Sequence, residues 1–174
     1  MPRPYPDALS LTRRVLKVLI VLNVIMGVLI LALLVASLVA ETWVARALGV
    51  PPHGAGPMLI PGMRMVMVLG IVAVPVTHVV LATLETIVET VGLGDPFVVE
   101  NAGRLKQIAW AVLGLEVLRV AVGGVAAAAS TTAVPLDVGW RFAVTPWLAV
   151  LLLFVLARVF EQGTRMRDDL EGTV

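Results

Sequence analysis

The chain has 174 residues, of which 59% are hydrophobic and only 14% are charged, and its net charge is +1. An ordinary soluble domain is about half apolar and about a quarter charged, so this composition excludes that class. The balanced charge, without a dense basic tract, gives no indication of direct nucleic-acid binding. The absence of cysteine excludes disulfides, thiolate metal sites and cysteine catalysis.

Four long apolar runs divide the chain, at about residues 15–40, 65–91, 107–129 and 142–160. Each is close to the roughly 20 residues with which a helix crosses a hydrocarbon core about 30 Å thick. Because backbone polar groups in lipid must be satisfied within the segment, such runs are expected to be helices. We predict an all-α integral membrane protein, a four-helix bundle that forms one domain over residues 1–174 and embeds in the lipid bilayer.

Basic residues predict how the chain crosses the membrane. Most lie near the two ends and in the segment 92–106, namely Arg3, Arg13, Arg14, Lys17, Arg104, Lys106, Arg158, Arg165 and Arg167. Fewer lie in the segments expected on the other side, namely Arg46, Arg64 and Arg141. Because cytoplasmic segments carry the excess of Lys and Arg, we expect both termini and the 92–106 loop to be cytoplasmic.

The first run, of about 25 residues, is longer than the apolar core of a secretory signal, so we expect it to remain as a span. Ala32, Ala36 and Ala40 recur in it every four residues, a spacing that lets helix backbones approach closely. This stripe fits either packing inside the bundle or a homo-oligomer interface. Asn23 is a lone amide that we expect to bond to a neighbouring helix.

The segment 46–64 is rich in Gly and Pro, which predicts irregular structure over much of its length. His53 stands alone in this segment, and with no obvious second ligand it predicts no metal site. The sequence also lacks a nucleophile elbow, a glycine-rich phosphate loop and metal-ligand spacing. We therefore expect neither an enzyme nor a cofactor.

Ionisable residues inside the second and third runs predict a buried polar network. Pro75 should kink the second helix, and three residues that follow it share one helical face: His78, Glu85 and Glu89. In the third run Glu116 and Arg119 are three residues apart. Arg119 can pair with Glu116 on its own helix or with Glu85 on the other. Such groups usually pair or line a route through the membrane, so the network fits a structural role, an ion relay or a polar ligand pocket.

Polar residues collect again between these two runs, in VGLGDPFVVENAGRLKQ, residues 91–107. Asp95 followed by Pro96 is typical of a helix N-cap with proline at the first helical position. Gly103 predicts an interruption before Arg104 begins the third span. At the C-terminus the tail EQGTRMRDDLEGTV mixes charges of both signs. Within it Glu161 and Arg165 have the spacing of a helical ion pair, and Gly163 predicts a weakened helix.

These two polar stretches, with four spans around them, carry a resemblance to a known family. Over nearly its whole length the chain resembles the bacterial membrane family called domain of unknown function 2975. The most specific matches are Gly94-Asp95-Pro96-Phe97, Glu100-Asn101 and Arg104-Leu105, then Gly163, Asp168 and the ending Glu171-Gly172-Thr173-Val174. The resemblance implies a location in the bacterial inner membrane and a link to small helix-turn-helix regulators, beside which such proteins are often encoded. It implies no catalytic residue.

We therefore predict an inner-membrane protein that binds a cytoplasmic partner, which the resemblance suggests is a small helix-turn-helix regulator. The expected partner-binding residues lie in the 92–106 loop and the 161–174 tail: Asp95, Phe97, Glu100, Asn101, Arg104, Lys106, Arg165, Arg167, Asp168 and Asp169. The alternative is a small oligomeric transporter or channel subunit that uses the charges of spans two and three, for which Glu85→Gln should abolish a flux. A third possibility is an assembly factor, in which these charges only set the helix register.

Overall fold

The computed structural model describes residues 6–47, 57–93, 98–130 and 143–171, excluding the side chains of residues 6–8, 45 and 167–171. These ranges contain five helices and no strand: α1 (Pro6–Val39), α2 (Glu41–Ala47), α3 (Leu59–Gly92), α4 (Val99–Ala129) and α5 (Val144–Glu171). The predicted all-α class is confirmed for this part of the chain.

Four of the helices are long and apolar enough to cross a membrane, over Leu9–Val39, Leu59–Gly92, Val99–Ala129 and Val144–Met166. These ranges contain most of each predicted apolar run, and each helix continues past its run by one or more turns. Helical hydrogen bonding does not stop at the edge of an apolar run, because polar residues with good helix propensity prolong it. The chain therefore has the four helices of a multi-pass membrane protein.

One local prediction about a helix was wrong. Gly103 lies inside α4, although it was expected to interrupt the chain before the third span; α5 continues through Gly163, which was expected only to weaken it. A glycine inside a helix costs only about 1 kcal/mol relative to alanine, which a long helix tolerates. The segment 46–64 was expected to lack regular structure over much of its length; α2 ends in it at Ala47 and α3 begins in it at Leu59, and residues 48–56 between these helices lie outside the described residues. His53 and Arg141 lie outside the described residues.

The chain divides into two compact units, and the first comprises Met1–Leu22, Val76–Gly114 and Ala143–Val174. Its buried apolar side chains come from three helices and are Leu16, Ala102, Leu105, Ile108, Ala109, Val150 and Ala157. Alanine and leucine at helical spacing allow α4 and α5 to approach closely. Two polar residues, Asn101 and Thr164, are buried in the same unit.

The second unit comprises Asn23–Pro75 and Leu115–Phe142. Here α1 contacts α3 through Gly27, where an added Cβ would lie 3.0 Å from Val74 Cγ1. Asn23 Nδ2 donates a hydrogen bond to Val74 O at 3.0 Å, so the prediction that Asn23 bonds to a neighbouring helix is confirmed. This carbonyl immediately precedes Pro75, whose ring removes one backbone donor from α3.

Arg64 connects the start of α3 to the end of α1 in the same unit. Its Nε donates to Ser37 Oγ at 3.1 Å, and its Nη2 donates to Ser37 O at 2.5 Å and to Glu41 Oε2 at 2.7 Å. Carbonyls in the last turn of a helix have no intrahelical partner, and a nearby basic side chain commonly satisfies them. Arg64 thus caps α1, a role that the sequence did not reveal.

Most of α1 is exposed and apolar. Its less exposed positions recur every three or four residues, at Arg13, Leu16, Ile20, Asn23, Gly27, Ile30, Leu34 and Ser37. Ala36 and Ala40 are half-buried, whereas Ala32 is exposed. Large exposed aliphatic side chains occupy the other faces of the helix. Such a broad apolar surface is typical of a helix in contact with lipid.

Candidate functional site

The connection between α3 and α4 is held by a buried amide. Asn101 is fully buried, and its Nδ2 donates to Thr90 Oγ1 at 2.8 Å. Its Oδ1 accepts from Arg104 Nη1 at 2.8 Å, and its backbone N–H donates to Val98 O at 3.0 Å. Thr90 Oγ1 in turn donates to Ile87 O at 2.8 Å. These bonds join the last turns of α3 to the first turns of α4 on either side of the loop.

A second polar group joins α4 to α5 in the same unit. Glu161 Oε2 lies 3.0 Å from Lys106 Nζ and 3.4 Å from Arg158 Nη1, and Glu161 Oε1 lies 2.9 Å from Arg165 Nη2. The expected Glu161–Arg165 pair is therefore present. Nearby, the buried Thr164 hydroxyl donates to Phe160 O at 2.6 Å. The start of the third span and the C-terminal tail are thus connected directly.

The residues predicted to bind a partner take different positions in this arrangement. Glu100 is exposed, and Arg165 is exposed but paired with Glu161. Asn101, Arg104 and Lys106 form the internal contacts given above. Asp95 and Phe97 lie outside the described residues, as do the side chains of Arg167, Asp168 and Asp169.

Three exposed apolar side chains belong to the same regions but were not predicted. Leu93 follows α3, Val99 begins α4, and Met166 lies near the end of α5. Their only signal in the sequence is their position outside the predicted apolar runs. Their large exposed side chains lie next to the polar stretches rather than in the middle of an apolar run. They are therefore candidate anchors for another protein.

Of the predicted polar network, the structure brings together Glu116 and Arg119. Arg119 Nε donates to Glu116 Oε2 at 2.9 Å and its Nη2 donates to Glu116 Oε1 at 2.5 Å, a two-pronged contact within α4. Glu116 is buried, and Arg119 is partly exposed. Both residues belong to the second unit. Pairing on the same helix was one of the two arrangements expected for Arg119.

The other three members of the predicted network belong to the first unit. Glu85 Oε1 lies 4.0 Å from Lys17 Nζ, a contact between α3 and α1. His78 and Glu89 are exposed on α3. A network that connects all five residues stays a prediction.

Arg119 also borders a groove of about 230 Å³ between α3 and α4 in the second unit. The remaining lining is apolar or small: Leu69, Gly70, Ala73, Leu115, Leu118, Val122 and Gly123. The small residues leave the space, and the leucines and Val122 form its walls. Apart from the arginine, nothing in this lining distinguishes one apolar occupant from another.

Comparison with known proteins identifies the family of this chain. Neither a curated protein nor a solved structure matches this chain. The family described as protein of unknown function (DUF2975) matches residues 44–174, which is well over half of the chain. The matched region includes α3, α4 and α5 and both polar stretches. The protein therefore belongs to the DUF2975 family.

Proposed function

We propose that this protein is a bacterial inner-membrane docking protein with both termini in the cytoplasm. Its 92–106 connection and its C-terminal tail would together bind a cytoplasmic protein. The observation that carries the proposal is the 3.0 Å contact between Lys106 Nζ and Glu161 Oε2. Because this contact joins the start of α4 to the tail of α5 within one unit, the two polar stretches can contribute to a single surface.

The contacts around Asn101 support the proposal by fixing the backbone beside the loop. A binding surface that is ordered before its partner arrives avoids part of the entropy cost of association. In this interpretation Asn101, Arg104 and Lys106 position the surface, whereas the exposed Val99 and Glu100 contact the partner. This differs from the sequence prediction, in which all four polar residues of the region 100–106 contact the partner directly.

Exposed chemistry in these regions suits a protein partner. Leu93, Val99 and Met166 offer apolar area, and charged residues of both signs lie close to them in the sequence. Apolar anchors supply most binding energy in protein interfaces, whereas charges supply selectivity and faster association. A small helix-turn-helix regulator is the proposed partner, on the basis of the family resemblance.

The test is affinity capture from native membranes, with the tag at the N-terminus so that the tail stays free. The test variant is Val99→Asp/Glu100→Lys, because both side chains are exposed. We expect it to reach the membrane in normal amounts and to bind the partner at least about fivefold more weakly, since an interface anchor contributes more than about 1 kcal/mol. The matched control is Arg46→Glu, an exposed charge reversal in α2, which should retain the partner.

Two outcomes would contradict the proposal in different ways. Recovery of the wild-type protein alone, under mild crosslinking, would argue against a docking function. Equal capture by wild type and by the Val99→Asp/Glu100→Lys variant would show that docking does not use the start of α4. Capture of a helix-turn-helix protein that the double variant loses would support both the surface and the proposed partner.

A further inference from the structure

Three basic side chains surround one carboxylate at the place where the apolar run of α4 begins and that of α5 ends. Lys106 precedes the apolar run of α4, and Arg158 and Arg165 lie on either side of the last apolar turn of α5. All three lie within 4 Å of Glu161, at 3.0, 3.4 and 2.9 Å. The three positive charges therefore exceed the one negative charge on which they converge. We call these four residues the basic cluster.

The exposed part of the basic cluster is cationic. The side chain of Glu161 is only 22% exposed, whereas those of Lys106, Arg158 and Arg165 are 47%, 67% and 72% exposed. The carboxylate holds the three side chains near one another while their outer surfaces remain accessible. An anion that approaches the cluster meets lysine and arginine donors first. Charge complementarity thus favours an anionic ligand with several acceptor oxygens.

An aromatic pair lies on the apolar side of the basic cluster. The rings of Trp110 and Phe154 meet edge to face, with centroids 5.4 Å apart and an interplanar angle of 81°. Trp110 is four residues beyond Lys106, and Phe154 is four residues before Arg158, so on both helices the Cα atoms of the aromatic and the basic residue are about 6 Å apart along the helix axis. Trp110 is also exposed.

Cations followed by aromatics in this order are the pattern of a membrane boundary. Tryptophan is enriched at the level of the lipid headgroups, and basic pockets between spanning helices bind anionic headgroups. An acidic protein segment would satisfy the cations equally well, but the exposed tryptophan lies one turn deeper along the apolar run, on the side where the acyl chain of a bound lipid would extend. The aromatic pair therefore favours a lipid over an acidic protein as the occupant.

We infer that the basic cluster is a binding site for an anionic phospholipid. The phosphate oxygens accept hydrogen bonds from Lys106, Arg158 and Arg165, and the upper part of an acyl chain lies against Trp110. Glu161 orients the cations and at the same time weakens the site by its own negative charge. The inference does not depend on the docking proposal, because it uses only the geometry at the ends of the two apolar runs.

The experiment uses the full-length protein, purified in detergent and titrated with phosphatidylglycerol or with phosphatidylcholine of the same acyl chains. Native mass spectrometry counts the bound lipids. We expect wild type to prefer phosphatidylglycerol. Arg158→Gln/Arg165→Gln should weaken phosphatidylglycerol binding by about thirtyfold, since each basic group near an anionic surface contributes roughly fivefold. Glu161→Gln should strengthen this binding by roughly fivefold, because it removes one negative charge that repels the phosphate.

The control is Arg14→Gln/Arg46→Gln, which removes two exposed basic residues outside the cluster and changes the net charge equally. It should retain the preference for phosphatidylglycerol. An equal loss in both double variants, or weaker binding by Glu161→Gln, would overturn the site. A polyglutamate peptide provides the remaining outcome. Tight binding of the peptide without any lipid preference, lost in Arg158→Gln/Arg165→Gln, would assign the cluster to an acidic protein segment and overturn the lipid proposal.

Discussion

At the scale of single residues, the most informative side chain is Asn101. In the sequence it stands among charged residues and resembles one more member of a solvated loop. In the structure it is fully buried, and both ends of its amide are hydrogen-bonded, to Thr90 and to Arg104. A buried amide is tolerated only when its donors and acceptor are satisfied, so this position depends on its partners.

Replacement of Asn101 by leucine should therefore destabilise the protein. Leucine has a similar size but can neither donate to Thr90 Oγ1 nor accept from Arg104, and a buried polar contact left unmade costs about 1–3 kcal/mol. We expect a lower midpoint in thermal unfolding of the detergent-purified protein. The neighbouring Glu100→Gln, at an exposed position, should stay within about 0.5 kcal/mol of wild type. Equal midpoints for all three proteins would show that the amide contributes nothing to stability.

At the scale of helices, close approach depends on a few small residues. Gly62 in α3 lies against α4, and a Cβ added there would be 2.3 Å from the Cβ of Ala129. Neither alanine nor backbone can move aside as a long flexible side chain could. By contrast, a Cβ added at Gly124 in α4 would meet nothing within 4 Å. The two glycines look alike in the sequence, but only one marks a helix contact.

We predict opposite effects of alanine at these two positions. Gly62→Ala should destabilise the fold by about 1–3 kcal/mol, because the added methyl group overfills the contact. Gly124→Ala should be neutral or stabilising by up to about 1 kcal/mol, because alanine is the better helix former. Adding Ala129→Gly to Gly62→Ala should recover part of the loss, which thermal unfolding of the four proteins would measure as a coupling. Additive effects of the two changes would exclude this contact.

At the scale of the whole molecule, the arrangement of polar and apolar segments determines how the chain meets the membrane. Many large aliphatic side chains on α1, α3 and α5 are exposed, which water would disfavour and lipid would accept. In the proposed topology each of the four long helices crosses the membrane once, so both ends of the chain lie on the same side. Which side this is depends on the basic residues, for which the proposed orientation is cytoplasmic.

The absence of cysteine allows a direct test of this orientation. Thr42→Cys in α2 and Gln162→Cys in α5 place single thiols at exposed positions without altering any charge. A membrane-impermeant maleimide added to intact spheroplasts should label Thr42→Cys at once and Gln162→Cys only after lysis. The reverse pattern would invert the orientation, and would place the proposed docking surface on the wrong side for a cytoplasmic partner.

The sequence by itself determined the helical class, the four apolar spans and the resemblance to the family. The family match over residues 44–174 confirmed this resemblance. These properties depend on local composition and short motifs, which a single chain displays directly. A local pair at helical spacing, Glu161 with Arg165, was predictable for the same reason, whereas the partner of Arg119 was left open between Glu116 and Glu85. The ends of the helices were harder to predict from the sequence. Gly103 and Gly163 resemble helix breakers but are tolerated within α4 and α5.

Only the tertiary structure decided which polar residues are buried and what they bind. Thr90 and Asn101 are 11 residues apart, Ser37 and Arg64 are 27 apart, and Lys106 and Glu161 are 55 apart. No spacing rule connects such positions, because their approach depends on how neighbouring helices pack. A charged loop and a charged tail were visible in the sequence. Their connection through Glu161, and the aromatic pair one turn away, arise from the contact of α4 with α5.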